Sequence, residues 1–334
     1  MNAPARRPED YASDQEVRWC PGCGDYAILK AVKQALARLD ADPARTVFVS
    51  GIGCAARFPY YLDTYGFHGI HGRAPAIATG VKLANPELDV WVVGGDGDML
   101  SIGIGHLLHT IRRNPDLVIL IFNNEVYGLT KGQLSPTSPP GTRTPSSPLG
   151  SLERPLSALR LALAAGARFA ARAIDTDRSL VDILVAARKH PGTAVVEILQ
   201  NCVVYADGAF AAITERSVAA EAQIRPVPGE PLIFGRARDK ALRPRADGCG
   251  LEVVALAEVD AATLPRFDPG DRELALLLAG LEPPMPVAIG ILRDDPAEKS
   301  LEAAMQAQEV RAQREGPSDL AALMRSGPVW VVPG

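Results

Sequence analysis

Two apolar runs, each ending in a polar signal, constrain this chain most. Asp89-Val-Trp-Val-Val93 leads into Gly94-Gly-Asp-Gly-Asp98, and Leu117-Val-Ile-Leu-Ile-Phe122 leads into Asn123-Asn124. Short, continuously apolar runs rich in branched residues are strands buried on both faces, the habit of parallel sheets. A helix expected over about Met99 to Arg113 separates them, and a crossover of that length sets the two strand ends side by side. Open α/β sheets bind ligands there, beyond the carboxyl ends of their strands. Alone, Gly-Asp-Gly is a tight turn and Asn-Asn a helix cap. As a pair, each after an apolar strand and separated by about 25 residues, they suit a divalent cation that holds a diphosphate. Asp96 offers a carboxylate oxygen, Asn124 an amide oxygen and Val126 a backbone carbonyl, the hard oxygen donors that Mg²⁺ prefers. Gly95 and Gly97 let backbone amides approach phosphate with no Cβ in the way, and the helix beginning near Met99 aims its N-terminus at the same place.

The same strand–helix unit recurs. A helix is expected from Tyr26 to Leu39, with Leu29, Val32, Leu36 and Leu39 on its apolar face and Asp25 as N-cap. Strands are expected at Thr46–Ser50, Ala167–Ala173 and Thr193–Leu199, with helices at Leu156–Ala165 and Ser179–His190. The fold class is therefore α/β: a mostly parallel sheet with helices on both faces. Ser135 to Gly150 is too rich in proline and serine for helix or central strand and is expected as a mobile loop over the site or against a partner. After about Pro226 the elements shorten, with strands expected at Leu251–Leu256 and Val287–Leu292 and a polar helix at Lys299–Gln313. The expected organisation is a tail over 1–15, a binding domain over 16–225 and a C-terminal extension over 226–334 that forms a subunit interface.

Composition excludes several classes. The 334 residues carry a net charge of −4 with no basic block, so nucleic acid is not an expected partner. The clean apolar runs reach six residues, as at Leu117 to Phe122, too short to span a membrane. The first fourteen residues have no apolar stretch of the kind a secretion signal needs, and a cytoplasmic location is expected. Five cysteines, an odd number, argue against a disulfide framework.

Cys20-Pro-Gly-Cys23 has the spacing of a two-thiolate chelate. Cys54 follows the strand at Thr46–Ser50, and Cys202 follows the strand that ends at Leu199. Three segments thus bring four thiolates to the rim that carries Asp96. Four thiolates suit zinc or an iron–sulfur cluster. Cys249, in Gly248-Cys-Gly250, is given no role.

Over roughly residues 17 to 210 the chain resembles the β subunits of the 2-oxoacid:ferredoxin oxidoreductases. The matching stretches are Trp19-Cys-Pro-Gly-Cys-Gly24, Gly51-Ile-Gly-Cys54, Phe67-His-Gly-Ile-His-Gly-Arg73, Gly95-Asp-Gly-Asp98, Asn123-Asn-Glu-Val-Tyr-Gly-Leu-Thr-Lys-Gly-Gln133 and the downstream cysteine, where Asn201 replaces the proline of many relatives. The resemblance implies a thiamine-diphosphate pyrophosphate-binding domain. It implies Mg²⁺ on Asp96, Asn124 and the Val126 carbonyl, and a 4Fe–4S cluster on Cys20, Cys23, Cys54 and Cys202. Thiamine contacts are implied at Ile52, Gly53, Cys54, Ala55, His71, Gly72, Gly95, Gly97, Asp98, Gly128 and Leu129. The implied reaction is the coenzyme-A-dependent oxidative decarboxylation of a 2-oxoacid, with electrons passing through the cluster to ferredoxin.

His68 and His71 are candidates to donate to a substrate carboxylate or an oxyanion. Arg57, in Cys54-Ala-Ala-Arg-Phe58, is a candidate clamp for a second carboxylate; relatives with a similar stretch act on 2-oxoglutarate, the substrate expected here. Pyruvate or a broad 2-oxoacid range is the nearest alternative, followed by a cluster-free thiamine decarboxylase or synthase with structural zinc, and a non-catalytic scaffold subunit. The chain holds one α/β unit where a thiamine enzyme needs two. By the resemblance, an α subunit, with or without a fused γ part, supplies the pyrimidine-binding domain in an (αβ)2 assembly.

Overall fold

The structure, a computed structural model, describes residues 6–247, 250–314, 316, 319–328, 330 and 332; Cys249 lies outside them. Its centre is a seven-stranded sheet. In chain order the strands are β1 (Thr46–Ser50), β2 (Tyr65–His68), β3 (Asp89–Gly95), β4 (Val118–Asn123), β5 (Phe169–Ile174), β6 (Ala194–Leu199) and β7 (Gly290–Asp294). Their spatial order is β7-β5-β6-β4-β3-β1-β2. All neighbours pair in parallel except β7, which runs antiparallel to β5 on the edge.

The alternation of each strand sorts its side chains to two cores. Val47, Val49, Val90, Val92, Ile119, Ile121 and Val195 face one layer. That layer is built from α2 (Ala74–Ala84), α4 (Ile104–Arg113), α5 (Ala158–Ala164) and α7 (Arg272–Ala279). Phe48, Trp91, Val93, Leu120, Phe122 and Ile198 face the other, formed by α1 (Asp25–Arg38) and α6 (Leu180–Lys189). Phe48 and Trp91 stack with centroids 5.6 Å apart. Each such fully buried side chain stabilises the fold by about 1.5–3 kcal/mol.

The structure departs from the sequence expectations at several places. The expected helix from Met99 is two helices, α3 (Asp96–Leu100) and α4, because the chain breaks over 101–103. Gly103 presses there against Gly72, where a Cβ would meet Gly103 N at 2.5 Å. Asp25 is not the N-cap of α1 but its first residue, with Gly24 at the cap. The strand expected over Val287–Leu292 is interrupted at Ile289, just before Gly290, whose φ is +123°. Phe67 and His68 belong to strand β2 rather than to a loop. The segment from Ser135 has no helix or central strand, as expected, but its start is not a free loop: Ser135, Thr137 and Ser138 are buried. Residues after 226 do more than extend the domain, since β7, α7, Leu242 and Phe267 join the sheet or its core. Near the N-terminus, Tyr11 is fully buried, its hydroxyl donating to Leu36 O at 3.1 Å and Ala41 O at 2.7 Å.

Candidate active site

The carboxyl ends of β1, β3 and β4 open into a cavity of about 310 Å³. Ile52, Gly53, Cys54, Ala55, His71, Gly95, Asp96, Gly97, Asp98, Asn124, Val126, Gly128 and Leu129 all line it. Asp96 is 1% exposed. Its Oδ2 accepts from Ser135 Oγ at 2.6 Å and from Thr137 Oγ1. Burial pushes its pKa up, and no cationic side chain pairs with it among the described residues. A buried carboxylate with only neutral donors fits a site that a cation completes. Asn124 has its amide fixed: Oδ1 accepts from Val126 N at 3.2 Å and Nδ2 donates to Gln200 Oε1 at 2.8 Å.

The glycine-rich wall expected to cradle a diphosphate is tight. A Cβ on Gly97 would meet the Tyr127 ring at 2.5 Å, and the Tyr127 hydroxyl donates to Gly97 O at 2.8 Å. At Gly53, φ is +93° and a Cβ would meet nothing within 4 Å, so the backbone faces open space. Asp98, 2% exposed, holds His71 Nδ1 at 2.8 Å and accepts from Gly72 N at 2.7 Å through the same oxygen, Oδ1. Gly72 therefore serves the site through its amide rather than by lining the cavity.

Arg57 and His68 do not line this cavity. They share a neighbouring one of about 410 Å³ with Arg18, Tyr60 and Tyr61, and Gly53 and Leu129 line both. His68 Nδ1 lies 3.1 Å from Tyr60 Oη. Arg57 Nε donates to Tyr61 Oη at 3.1 Å, and no carboxylate pairs with Arg57 among the described residues.

The cysteine segments are tied to one another by the protein itself. Trp19, just before Cys20, donates its indole N–H to Cys54 O at 2.8 Å. Gly24, just after Cys23, donates its amide to Asn201 O at 3.2 Å, next to Cys202. A Cβ on Gly128 would lie 3.6 Å from Cys202 Sγ and 3.7 Å from Cys54 Sγ. All four are free thiols, with Cys20 exposed. Burial, then the nearby Asp25 carboxylate, pushes Cys54 up to about 12 and raises Cys23 as well. Among the described residues, no three His, Cys, Asp or Glu side chains gather closely enough to hold a single metal ion.

Sequence reasoning missed four participants. Asp25 lines the cavity, 1% exposed, and burial pushes it up to about 7; a carboxylate directly after Cys-Pro-Gly-Cys-Gly was the available signal. Ser135 and Thr137 hold Asp96, and Gln200 holds Asn124; spacing gives no sign of either contact.

Comparison with known proteins places this geometry. The family model of the thiamine pyrophosphate enzyme C-terminal TPP binding domain matches residues 51–198. The 2-oxoglutarate oxidoreductase subunit KorB of Mycobacterium tuberculosis is 47% identical over 323 residues, 95% of this chain and 86% of that protein. The chain belongs to the 2-oxoacid:ferredoxin oxidoreductase β subunits. Subunit beta of 2-oxoacid:ferredoxin oxidoreductase 1 from Aeropyrum pernix is 49% identical over 205 residues, 61% of this chain and 64% of that protein. Among solved structures, the 2-oxoglutarate:ferredoxin oxidoreductase from Magnetococcus marinus, with 2-oxoglutarate, coenzyme A and succinyl-CoA bound, superposes with a TM-score of 0.76. Its sequence is 30% identical, and the match covers 98% of this chain and 97% of that one. No helix among the described residues of this β subunit is long and apolar enough to cross a membrane.

Proposed function

We infer that this chain is the thiamine-diphosphate-binding β subunit of a cytoplasmic, coenzyme-A-dependent 2-oxoglutarate:ferredoxin oxidoreductase that forms succinyl-CoA and carbon dioxide. One observation carries the reading: Cys54 lines the same cavity as Asp96 and Asn124, so a candidate cluster ligand and the residues that would hold the diphosphate share one wall. Asp96, Asn124 and the Val126 carbonyl would hold Mg²⁺, with Gly95 and Gly97 leaving room for the diphosphate. Cys20, Cys23, Cys54 and Cys202 would hold a 4Fe–4S cluster. When bound, thiamine diphosphate supplies an electron sink for decarboxylation and the cluster a one-electron path towards ferredoxin.

This chain's own residues position and select. With Asp98 Oδ1 accepting, His71 Nδ1 is the nitrogen that carries hydrogen, and Nε2 remains free for substrate. Arg57, which no carboxylate pairs with among the described residues, would take the distal carboxylate of 2-oxoglutarate through the neighbouring cavity. The pyrimidine-activating carboxylate would come from an α subunit in an (αβ)2 assembly.

The test is co-purification with the α subunit, iron and sulfide analysis, and viologen reduction with 2-oxoglutarate or pyruvate, with and without coenzyme A. Arg57→Ala is expected to raise KM for 2-oxoglutarate tenfold or more while sparing pyruvate. Equal losses on both substrates would remove the clamp, and an iron-free preparation that still decarboxylates would remove the redox assignment.

A further inference from the structure

We propose that Gln200 is a positioning residue that joins the metal site to the cluster: one buried amide that orients Asn124 and donates a hydrogen bond to the Cys23 sulfur. The proposal rests on the reading of the four cysteines as cluster ligands.

Gln200 is the first residue after β6 and is 1% exposed. Its backbone N–H donates to Asn123 O at 2.8 Å, which fixes it at the end of β4. Its Oε1 accepts from Asn124 Nδ2 at 2.8 Å. Its Nε2 donates to Cys23 Sγ at 3.3 Å and to Asn201 O at 2.7 Å. The side chain is packed in place, since a Cβ on Gly24 would meet Gln200 Cγ at 3.0 Å.

The direction of this chain is set by backbone groups that have no choice of role. Val126 N–H can only donate, so the Asn124 atom facing it is the oxygen. The Asn124 nitrogen therefore faces Gln200, and the Gln200 atom that receives it is its oxygen. The Gln200 nitrogen then faces Asn201 O, which can only accept, and the Cys23 sulfur. Flipping either amide would set donor against donor or oxygen against oxygen.

Two consequences follow. Asn124 is locked with its oxygen on the Val126 side, the side of the proposed Mg²⁺ ligands, so the metal site is pre-oriented. At the other end, an N–H directed at a thiolate stabilises negative charge on sulfur. A reduced cluster carries one more electron, so this bond favours reduction and raises the potential. One side chain thereby ties the residue that anchors the diphosphate to a ligand of the electron acceptor.

The test uses the holoenzyme with its α subunit. Wild type, Gln200→Leu and Gln200→Glu are compared for iron and sulfide content, for cluster midpoint potential by EPR-monitored redox titration, and for Mg²⁺ affinity by titration in the presence of thiamine diphosphate. Gln200→Leu removes both contacts. It is expected to reduce the one-electron equilibrium constant about tenfold, about 59 mV, and to weaken Mg²⁺ about tenfold. Gln200→Glu keeps the shape and the acceptor for Asn124 but sets a carboxylate oxygen against the sulfur; it is expected to lower the potential at least as far. If the leucine variant fails to fold, the glutamate variant alone decides. A full cluster with unchanged potential in both variants overturns the role of Gln200 and leaves the cluster reading intact, whereas wild-type holoenzyme without iron and sulfide overturns both.

Discussion

Ser135 Oγ reaches across 39 residues of sequence to donate to Asp96 Oδ2 at 2.6 Å. Thr137 Oγ1 donates to the same oxygen and also to Asn123 Oδ1 at 3.0 Å. The root of the proline-rich segment is thus fastened to the carboxylate that would hold Mg²⁺. Replacing both hydroxyls, in Ser135→Ala/Thr137→Val, leaves that carboxylate free to swing. Mg²⁺ affinity is expected to fall about tenfold or more, with little change in cluster content. Metal titration of the paired subunits, read by thiamine diphosphate binding, checks this; unaltered affinity would show that the hydroxyls are passive.

Gly97 cannot carry a side chain. The Cβ of Gly97→Ala would fall 2.5 Å from the Tyr127 ring, which is held by its own hydrogen bond to Gly97 O. Overpacking of this kind costs about 1–3 kcal/mol. Thermal unfolding should show that loss, and thiamine diphosphate affinity should drop with it. Gly97→Ala/Tyr127→Ala should recover stability, because the obstructing ring is gone.

Glu197 is buried behind the site. It accepts from Arg172 Nε at 2.8 Å and from Asn123 Nδ2 at 2.9 Å. Arg172→Met would strand this carboxylate, at a cost of about 3–5 kcal/mol. Denaturant unfolding measures it. Arg172→Met/Glu197→Leu is expected to be more stable than Arg172→Met alone; the opposite order would mean that the ion pair is not what stabilises this region.

Asp98→Asn tests the orientation of His71. An amide oxygen accepts more weakly than a carboxylate, so the ring should lose its fixed tautomer while the cavity keeps its shape. Turnover with 2-oxoglutarate is expected to fall at least tenfold, with Mg²⁺ affinity changed less than threefold. A larger loss of Mg²⁺ affinity than of turnover would assign Asp98 to the diphosphate instead.

The carboxyl-end rim was legible because it depends only on topology. Once β3 and β4 are recognised as parallel neighbours, Asp96 and Asn124 have to meet, and Cys54 and Cys202 follow from β1 and β6. What was not legible depends on non-local contacts. β2 has a glycine in the middle of Tyr65-Gly-Phe-His68 and is exposed along its length, so neither branching nor burial marks it. The break at 101–103 arises from contact with Gly72, about 30 residues upstream. The separation of Arg57 and His68 from the thiamine cavity depends on which way the 3₁₀ turn Ala55–Tyr61 faces, which periodicity does not report. Gln200 is an ordinary polar residue at a strand end until its partners are known.

The indole of Trp19 bonded to the Cys54 carbonyl, with the amide of Gly24 bonded to Asn201, has a consequence for how the subunit matures. Small metal-dependent modules stay unfolded until their ion arrives. Here the loops that carry the sulfurs are already clasped by contacts that need no iron. With the proposed cluster on these sulfurs, inorganic assembly would follow folding rather than drive it, and a cell short of iron would accumulate a near-finished subunit to be loaded afterwards.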